Sequence, residues 1–256
     1  MKAPLSAVLL VAAGLFAPPV QARSLDLIRT QGTIGQCLHP SALPFSNRKT
    51  EPPGFQVELG EAIAKQIGVR LEPIWIIGGH QLRRSGCDIV ADAIDQPEVQ
   101  DEAGLQLSKP YYRTGIVLAV RPDSSITSAE AIDQHAKIGV MGSSIASMTF
   151  NKRGLTTSAF GFEDEMLQAL ADKEIDGAVV SRAAAGYFNV THPGEAVRLV
   201  DIDELEPDFS WNVSVGMSKP DDKLRAAINE ALDRLSADGT IQRIYAKYGI
   251  KLQPPR

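Results

Sequence analysis

Two carboxylates close together in the sequence are the first candidates for binding chemistry. Asp92 and Asp95 lie three residues apart in the segment ADAID, at the end of a predicted strand over residues 88–93. Two negative charges at one site repel an anion and attract a cation. Three interpretations stay open: ion pairs with nearby basic side chains at a cleft rim, a cationic ligand, or part of a hard-metal site. Because calcium takes six or more oxygen ligands, the pair alone falls short of a metal site.

Motifs for catalysis and metal binding are otherwise scarce. The chain has no GxSxG nucleophile elbow and no CxxC pair, two of the motifs by which nucleophilic and redox enzymes are recognised. Its four histidines are scattered without the spacing of metal ligands. We therefore predict a protein that is not an enzyme, binds no metal and needs no cofactor.

The first 22 residues have the pattern of an export signal. Lys2 supplies the positive charge, an apolar core of about 13 residues follows, and Val20-Gln21-Ala22 forms a small-residue cleavage site. A membrane-spanning helix needs about 20 apolar residues, so we predict cleavage, a periplasmic location and no membrane insertion. The net charge of −5 and the lack of a basic run argue against nucleic acid as a partner.

The only two cysteines are Cys37 and Cys87. An even number of cysteines in an exported protein predicts a disulfide, with two buried free thiols as the alternative. A bridge between them would close a loop of about 50 residues.

Strands and helices alternate along the rest of the chain. This order is typical of open sheets covered by helices on both faces, which bind ligands in a cleft at the strand ends. Predicted strands include residues 33–38, 71–77, 88–93, 112–121 and 211–217, and predicted helices include residues 55–67, 126–134, 145–153, 162–171 and 182–188.

The closing segment carries the strongest pattern. Leu224, Ile228, Leu232 and Leu235 are spaced three or four residues apart, as on the buried face of a helix. The whole segment, LRAAINEALDRLSADGTIQRIYAKYGI, resembles the C-terminus of family 3 periplasmic solute-binding proteins. The resemblance implies the α/β type II periplasmic binding fold, in which two open-sheet lobes are joined by two crossover strands. After the signal peptide predicted over residues 1–22, it implies a first lobe from residues 23–119 and 215–256 and a second lobe from residues 120–214.

The resemblance to the amino-acid receptors of this family implies that the cleft of this protein lacks the residues that bind an amino acid. Their carboxylate-binding arginine falls on Gln100, which cannot form the bidentate pair of a guanidinium. Their hydroxyl positions fall on Asp92 and Asp95, and their ammonium-binding acid falls on Ser181. The other implied cleft residues are His39, Phe45, Ser143 and Ser144, with Trp75, Arg113 and Trp211 as possible cleft wall. We expect a protein that does not bind standard α-amino acids.

A closer resemblance within the family is carried by the segments CLHPSALPFSN, PGFQVELGEAIAKQIG, CDIV and SKPYYRTGIVLAV. They are similar to the MxaJ and XoxJ accessory proteins of periplasmic methanol dehydrogenases. The resemblance implies a monomeric, non-enzymatic partner of a PQQ-dependent quinoprotein dehydrogenase. One alternative is a receptor that delivers a cation, a polyamine-like compound or the quinone cofactor to the membrane subunits of an ABC importer. A second alternative is an enzyme similar to the cyclohexadienyl dehydratases.

Overall fold

The computed structural model describes residues 22–49, 51–96 and 104–256. Its α-helices are Leu25–Gln31 (α1), Phe55–Ile67 (α2), Leu82–Ser85 (α3), Ile145–Lys152 (α4), Glu163–Ala171 (α5), Arg182–Thr191 (α6), Asp222–Ala237 (α7) and Thr240–Ala246 (α8). Its strands are Thr33–Leu38 (β1), Ser41–Ala42 (β2), Ser46–Asn47 (β3), Arg70–Trp75 (β4), Ile89–Ile94 (β5), Gln106–Leu107 (β6), Tyr112–Val120 (β7), Lys137–Met141 (β8), Thr156–Phe160 (β9), Gly177–Ser181 (β10), Arg198–Asp201 (β11) and Ser210–Met217 (β12).

One mixed sheet runs through the molecule. Its main path has the order β4-β1-β5-β12-β7-β10-β8-β9, while β11 pairs with β7 and β6 pairs with β12. The short strands β2 and β3 form a separate hairpin. The predicted α/β class with open sheets is therefore confirmed.

Strands β7 and β12 join the two halves of this sheet. The first part of β7, residues 112–115, pairs with residues 210–213 of β12. The rest of β7 pairs with β10 and β11, and the rest of β12 pairs with β5. These two strands are the crossover strands that the family resemblance implied, although the exact lobe boundaries stay a prediction.

Separate apolar cores lie on the two sides of the crossover. The first core packs α2 against α7 and α8, with Phe55, Leu59, Ile228 and Tyr245 fully buried. Each such side chain stabilises the fold by about 1.5–3 kcal/mol on burial. On the other side, β7, β8 and β10 are covered by α4 on one face and by α5 and α6 on the other.

The C-terminal helices follow the predicted pattern closely. Helix α7 begins at an N-cap, where the Asp221 carboxylate accepts a hydrogen bond of 2.7 Å from the Leu224 amide. The helix ends before Gly239, whose φ of 74° suits glycine in the left-handed region. The apolar stripe and the glycine after the helix can both be seen in the sequence, which is why helix α7 could be predicted from it.

The predicted helix over residues 126–134 is wrong, because the segment consists of turns. The hydroxyls of Ser124 and Ser128 accept hydrogen bonds from the backbone amides of Ile126 and Ala131. Such local bonds offer the backbone an alternative to the helical ladder. Ile126 is nevertheless buried in the second half of the molecule, so its apolar character signalled burial rather than helix.

Cys37 and Cys87 form the predicted disulfide. Cys37 lies near the end of β1 and Cys87 lies just before β5, so the bridge links two neighbouring strands of the sheet. In the chain-entropy model, a closed loop of this length stabilises a fold by about 4 kcal/mol.

Candidate functional site

A cavity of about 710 Å³ lies between the two halves of the molecule, and we call it the interlobe cavity. One wall is the β2–β3 hairpin with its flanking residues, and the other wall comes from the end of β8, the start of α5 and one face of α6. Its lining includes His39, Phe45, Met141, Phe162, Glu163, Asp164, Tyr187, Phe188 and His192.

The hairpin wall is held in place from within the first lobe. The Ser46 hydroxyl donates a 2.8 Å hydrogen bond to the His39 carbonyl, and the Asn47 amide donates to the Pro53 carbonyl at 2.7 Å. The Phe45 ring packs against the buried Phe55 ring, with 5.1 Å between centroids. The structure therefore brings the predicted residues His39 and Phe45 together on one wall.

Glu163 is the main acidic group on the opposite wall, and sequence reasoning missed it. Its two carboxylate oxygens accept hydrogen bonds from the Ser181 amide at 2.5 Å and the Ser181 hydroxyl at 2.9 Å. The same hydroxyl caps α6 by accepting from the Ala184 amide at 3.1 Å. Ser181 is the residue at which the family resemblance implied an acid, and the carboxylate of Glu163, 18 positions earlier in the chain, lies against it.

Burial raises the pKa of Glu163, because desolvation disfavours the charged form. The two hydrogen bonds from Ser181 partly oppose this rise in the pKa, while the nearby charge of Asp164 adds to it. The carboxyl group forms no salt bridge within the described ranges of the chain. The hydrogen bonds from Ser181 therefore fix the position of this carboxyl group at the cavity.

A smaller cavity of about 180 Å³ adjoins the crossover strands, and Glu163 lines it as well. Ser144, Asp208 and Trp211 also line it, so the structure brings two predicted residues beside Glu163. The Ser144 hydroxyl caps α4 by accepting from the Ser147 amide at 3.1 Å, and it donates to the Met141 carbonyl at 2.7 Å. Ser143 is exposed and has a φ of 59°.

The Asp92 carboxylate accepts hydrogen bonds from side chains of its own lobe. Its Oδ1 atom accepts hydrogen bonds from Tyr111 at 2.6 Å, Tyr245 at 2.9 Å and Tyr112 at 3.1 Å. Gln56 donates to Oδ2 at 3.3 Å. Desolvation raises the pKa of Asp92, and these hydrogen bonds oppose the rise. The same buried surroundings raise the pKa values of the three tyrosines well above the ordinary 10.

A β-bulge directs Asp92 into this cluster. Residues 90 and 93 of β5 pair with residues 216 and 214 of β12, so two residues of β5 face only Val215. Asp92 takes a φ of 55° there, in the left-handed region. The bulge breaks the simple alternation of side chains that the sequence pattern assumes.

The remaining predicted residues lie outside both cavities or outside the described part. Asp95 donates its amide to the Asn212 carbonyl at 2.8 Å. Arg113 lies on β7 and donates its amide to the Gln253 carbonyl at 2.9 Å, while Trp75 ends β4. Gln100 lies outside the described residues, so its predicted role stays untested. Among the described residues, no group of three or more His, Cys, Asp or Glu side chains could hold a metal ion.

The fold and this cavity between two lobes define a class, the bilobal solute-binding proteins of type II. The profile of bacterial extracellular solute-binding proteins, family 3, matches residues 34–251. The chain belongs to this family. None of the helices in the described ranges combines the length and apolar character that crossing a membrane requires.

Individual relatives include both binding proteins and an enzyme. A probable amino-acid-binding protein of Bacillus subtilis, YxeM, is 26% identical over 87% of this chain and 84% of its own length. Membrane-bound lytic murein transglycosylase F of Desulfosudis oleivorans is also 26% identical, over 88% of this chain, but the chain spans only 50% of that relative. The structure of an ancestral cationic amino acid solute-binding protein, AncCDT-1, has a TM-score of 0.75 and 25% identity over 88% of this chain and 99% of its own.

These comparisons confirm the resemblance to family 3 solute-binding proteins. The proteins named above have no stated link to methanol dehydrogenases, so the closer resemblance to MxaJ and XoxJ stays a prediction. The binding proteins among the relatives agree with a protein that is not an enzyme, whereas the transglycosylase shows that related chains occur in enzymes.

Proposed function

We propose that this protein is an extracytoplasmic receptor that binds a small solute and delivers it to the membrane subunits of an ABC importer. The observation that carries this proposal is the interlobe cavity of about 710 Å³ between two lobes linked by β7 and β12. Pockets for small ligands have about 300–1,000 Å³. Two lobes joined by a pair of strands are suited to hinge closure around a ligand.

The proposal includes the lobe division and the export that the sequence predicts. Residues 23–119 with 215–256 form one lobe and residues 120–214 form the other, after removal of a signal peptide. The protein acts as a monomer without catalytic activity. Its relatives support solute binding, and YxeM is named as a probable amino-acid-binding protein.

Two alternative functions, an accessory role and an enzymatic one, have weaker support. The accessory role beside a quinoprotein dehydrogenase rests on sequence resemblance alone. An enzyme of the dehydratase type would need a general acid in the cleft. The Asp92 carboxyl group, which would be available for such a role only if free, already accepts hydrogen bonds from three tyrosines and Gln56.

The proposal is tested by exposing the mature protein to a metabolite extract and identifying retained compounds by mass spectrometry. A retained solute should also raise the melting temperature, since a ligand at a hundred times its Kd adds about 2.7 kcal/mol to the stability. Small-angle scattering should show a more compact molecule with the solute. Failure to retain any compound, together with binding to a quinoprotein dehydrogenase, would favour the accessory role and overturn the receptor proposal.

A further inference from the structure

We propose that the solute is an organic ammonium compound with an apolar or aromatic body and no carboxylate, and that Glu163 binds its positive charge. This inference rests on the receptor function proposed above and names the class of solute. It follows from the charges of the cavity lining, the surroundings of Glu163 and the aromatic side chains beside it.

The first observation is the one-sided charge of the lining. The interlobe cavity carries the carboxylates of Glu163 and Asp164, and neither Lys nor Arg is among its lining residues in the described part of the chain. The smaller cavity adds Asp208 and likewise has no Lys or Arg lining it. A ligand carboxylate would therefore find no Lys or Arg among these lining residues with which to form a charge-assisted pair.

The second observation is that Glu163 has a fixed orientation and unused binding capacity. An ionised carboxylate has about four lone-pair sites, and the two hydrogen bonds from Ser181 use two of them. Glu163 is partly buried, and a carboxylate withdrawn from water is stabilised by a cationic partner. Within the described ranges Glu163 has no such partner, so a cationic ligand in the cavity would complete the pairing.

The third observation is the aromatic surface around this carboxylate. Phe162 precedes Glu163 directly and is 66% exposed, although it lines the cavity. Phe45 lies on the hairpin wall and Tyr187 on α6. Aromatic faces attract ammonium groups and also bury the apolar body of a ligand. A ligand that covered Phe162 would remove its apolar surface from water.

A purely structural role for Glu163 is the competing explanation, because its bonds to Ser181 support the start of α6. The variant Glu163→Gln separates the two roles. The Gln side chain has the same shape, can accept from the Ser181 amide and can donate to the Ser181 hydroxyl. It retains the support of α6 but lacks the negative charge.

Calorimetry with matched pairs tests the inference: phenethylamine against phenylalanine, agmatine against arginine, and cadaverine against lysine. The members of each pair differ by one carboxylate. We expect at least one amine to bind ten times more tightly than its amino acid, and Glu163→Gln to weaken that binding at least tenfold. The matched control is Glu165→Gln, which changes an exposed residue two positions along the same helix and lies outside the interlobe cavity; it should change the Kd less than threefold.

An amino acid that binds as tightly as its amine would overturn the proposed solute class, while the receptor function would stand. Unchanged amine binding by a folded Glu163→Gln protein would overturn the role of Glu163. If no compound of either series binds, the solute class is also wrong, and the metabolite-extract experiment decides separately whether the protein is a receptor.

Discussion

At the scale of single residues, Asp92 shows how a predicted ligand contact can serve the fold instead. Replacing Asp92 with Ala removes the shared acceptor of three tyrosine hydroxyls and should lower the free energy of unfolding by about 2–3 kcal/mol. Asp92→Asn keeps an acceptor oxygen and tolerates the φ of 55°, so it should cost clearly less. Urea unfolding curves measure both variants. Equal losses for Ala and Asn would contradict a structural role for the shared acceptor.

Glu163 gives a prediction about stability and pH. Because burial raises its pKa above the ordinary 4.5, Glu163 binds its proton more tightly in the folded protein than in the unfolded chain. The stability of the ligand-free protein is therefore highest below pH 4.5 with respect to this group, and it falls as the pH rises through the raised pKa. Glu163→Gln is neutral at every pH, so it should be more stable than the wild type at pH 7 and gain nothing at pH 4.

The measurement is the difference between the urea midpoints of the two proteins across this pH range, since the other titrating groups are common to both. Glu165→Gln, a change on the same helix outside the interlobe cavity, again serves as the control. A Gln variant that is less stable at pH 7 would mean that the ionised carboxylate stabilises the fold.

The residue scale also marks where sequence reasoning reached its limit. The family resemblance predicted that Ser181 lies in the cleft. In the structure its hydroxyl donates a hydrogen bond to the Glu163 carboxylate. The partner could not be predicted, because the contact depends on how α5 and β10 pack rather than on a local spacing. The bulge at Asp92 was equally hidden, since one extra residue in a strand leaves the apolar pattern nearly unchanged.

At the scale of elements, the close approach of the crossover strand β7 to the residues at the start of β12 makes Gly115 a sensitive position. A Cβ atom on Gly115 would lie 2.1 Å from the Phe209 carbonyl oxygen, a backbone atom with little freedom to move. Gly115→Ala should therefore destabilise the protein by about 1–3 kcal/mol, the usual cost of overpacking. Thermal or urea unfolding measures the loss.

Gly194→Ala is the control for this prediction, because its Cβ atom would meet nothing within 4 Å. It should stay within about 0.5 kcal/mol of the wild type, as surface substitutions usually do. Full stability of Gly115→Ala would show that β7 can move away from the Phe209 carbonyl without breaking the crossover.

Helix α7 and residues 126–134 show when an apolar pattern predicts a helix and when it does not. Helix α7 has both an Asp N-cap and a stripe of buried leucines, and its existence and extent followed from the sequence. Residues 126–134 have apolar residues at similar spacing, but Ser and Asp side chains compete for their backbone amides. The two-lobed fold could be predicted because strands and helices alternate along the chain and because the closing segment resembles the family.

At the scale of the whole molecule, residues 253–256 link the crossover to the second lobe. The Arg113 amide on β7 donates to the Gln253 carbonyl at 2.9 Å. Asn212 on β12 exchanges hydrogen bonds of 3.0 and 3.1 Å with the backbone of Arg256. The Arg256 guanidinium then reaches Asp203, just beyond β11, at 2.8 Å. The segment thus contacts both crossover strands and Asp203 of the second lobe.

Deletion of residues 253–256 should loosen the crossover without unfolding the lobes, whose apolar cores it does not touch. Loss of one backbone hydrogen bond, worth about 0.5–1.5 kcal/mol, should speed amide exchange of Arg113 by roughly 3- to 10-fold. Hydrogen exchange followed by NMR measures this rate, and small-angle scattering should show a wider ligand-free molecule. Arg256→Ala removes only the ion pair and should leave the Arg113 amide protected. Unchanged exchange and dimensions in the deletion variant would mean that β7 and β12 set the hinge by themselves.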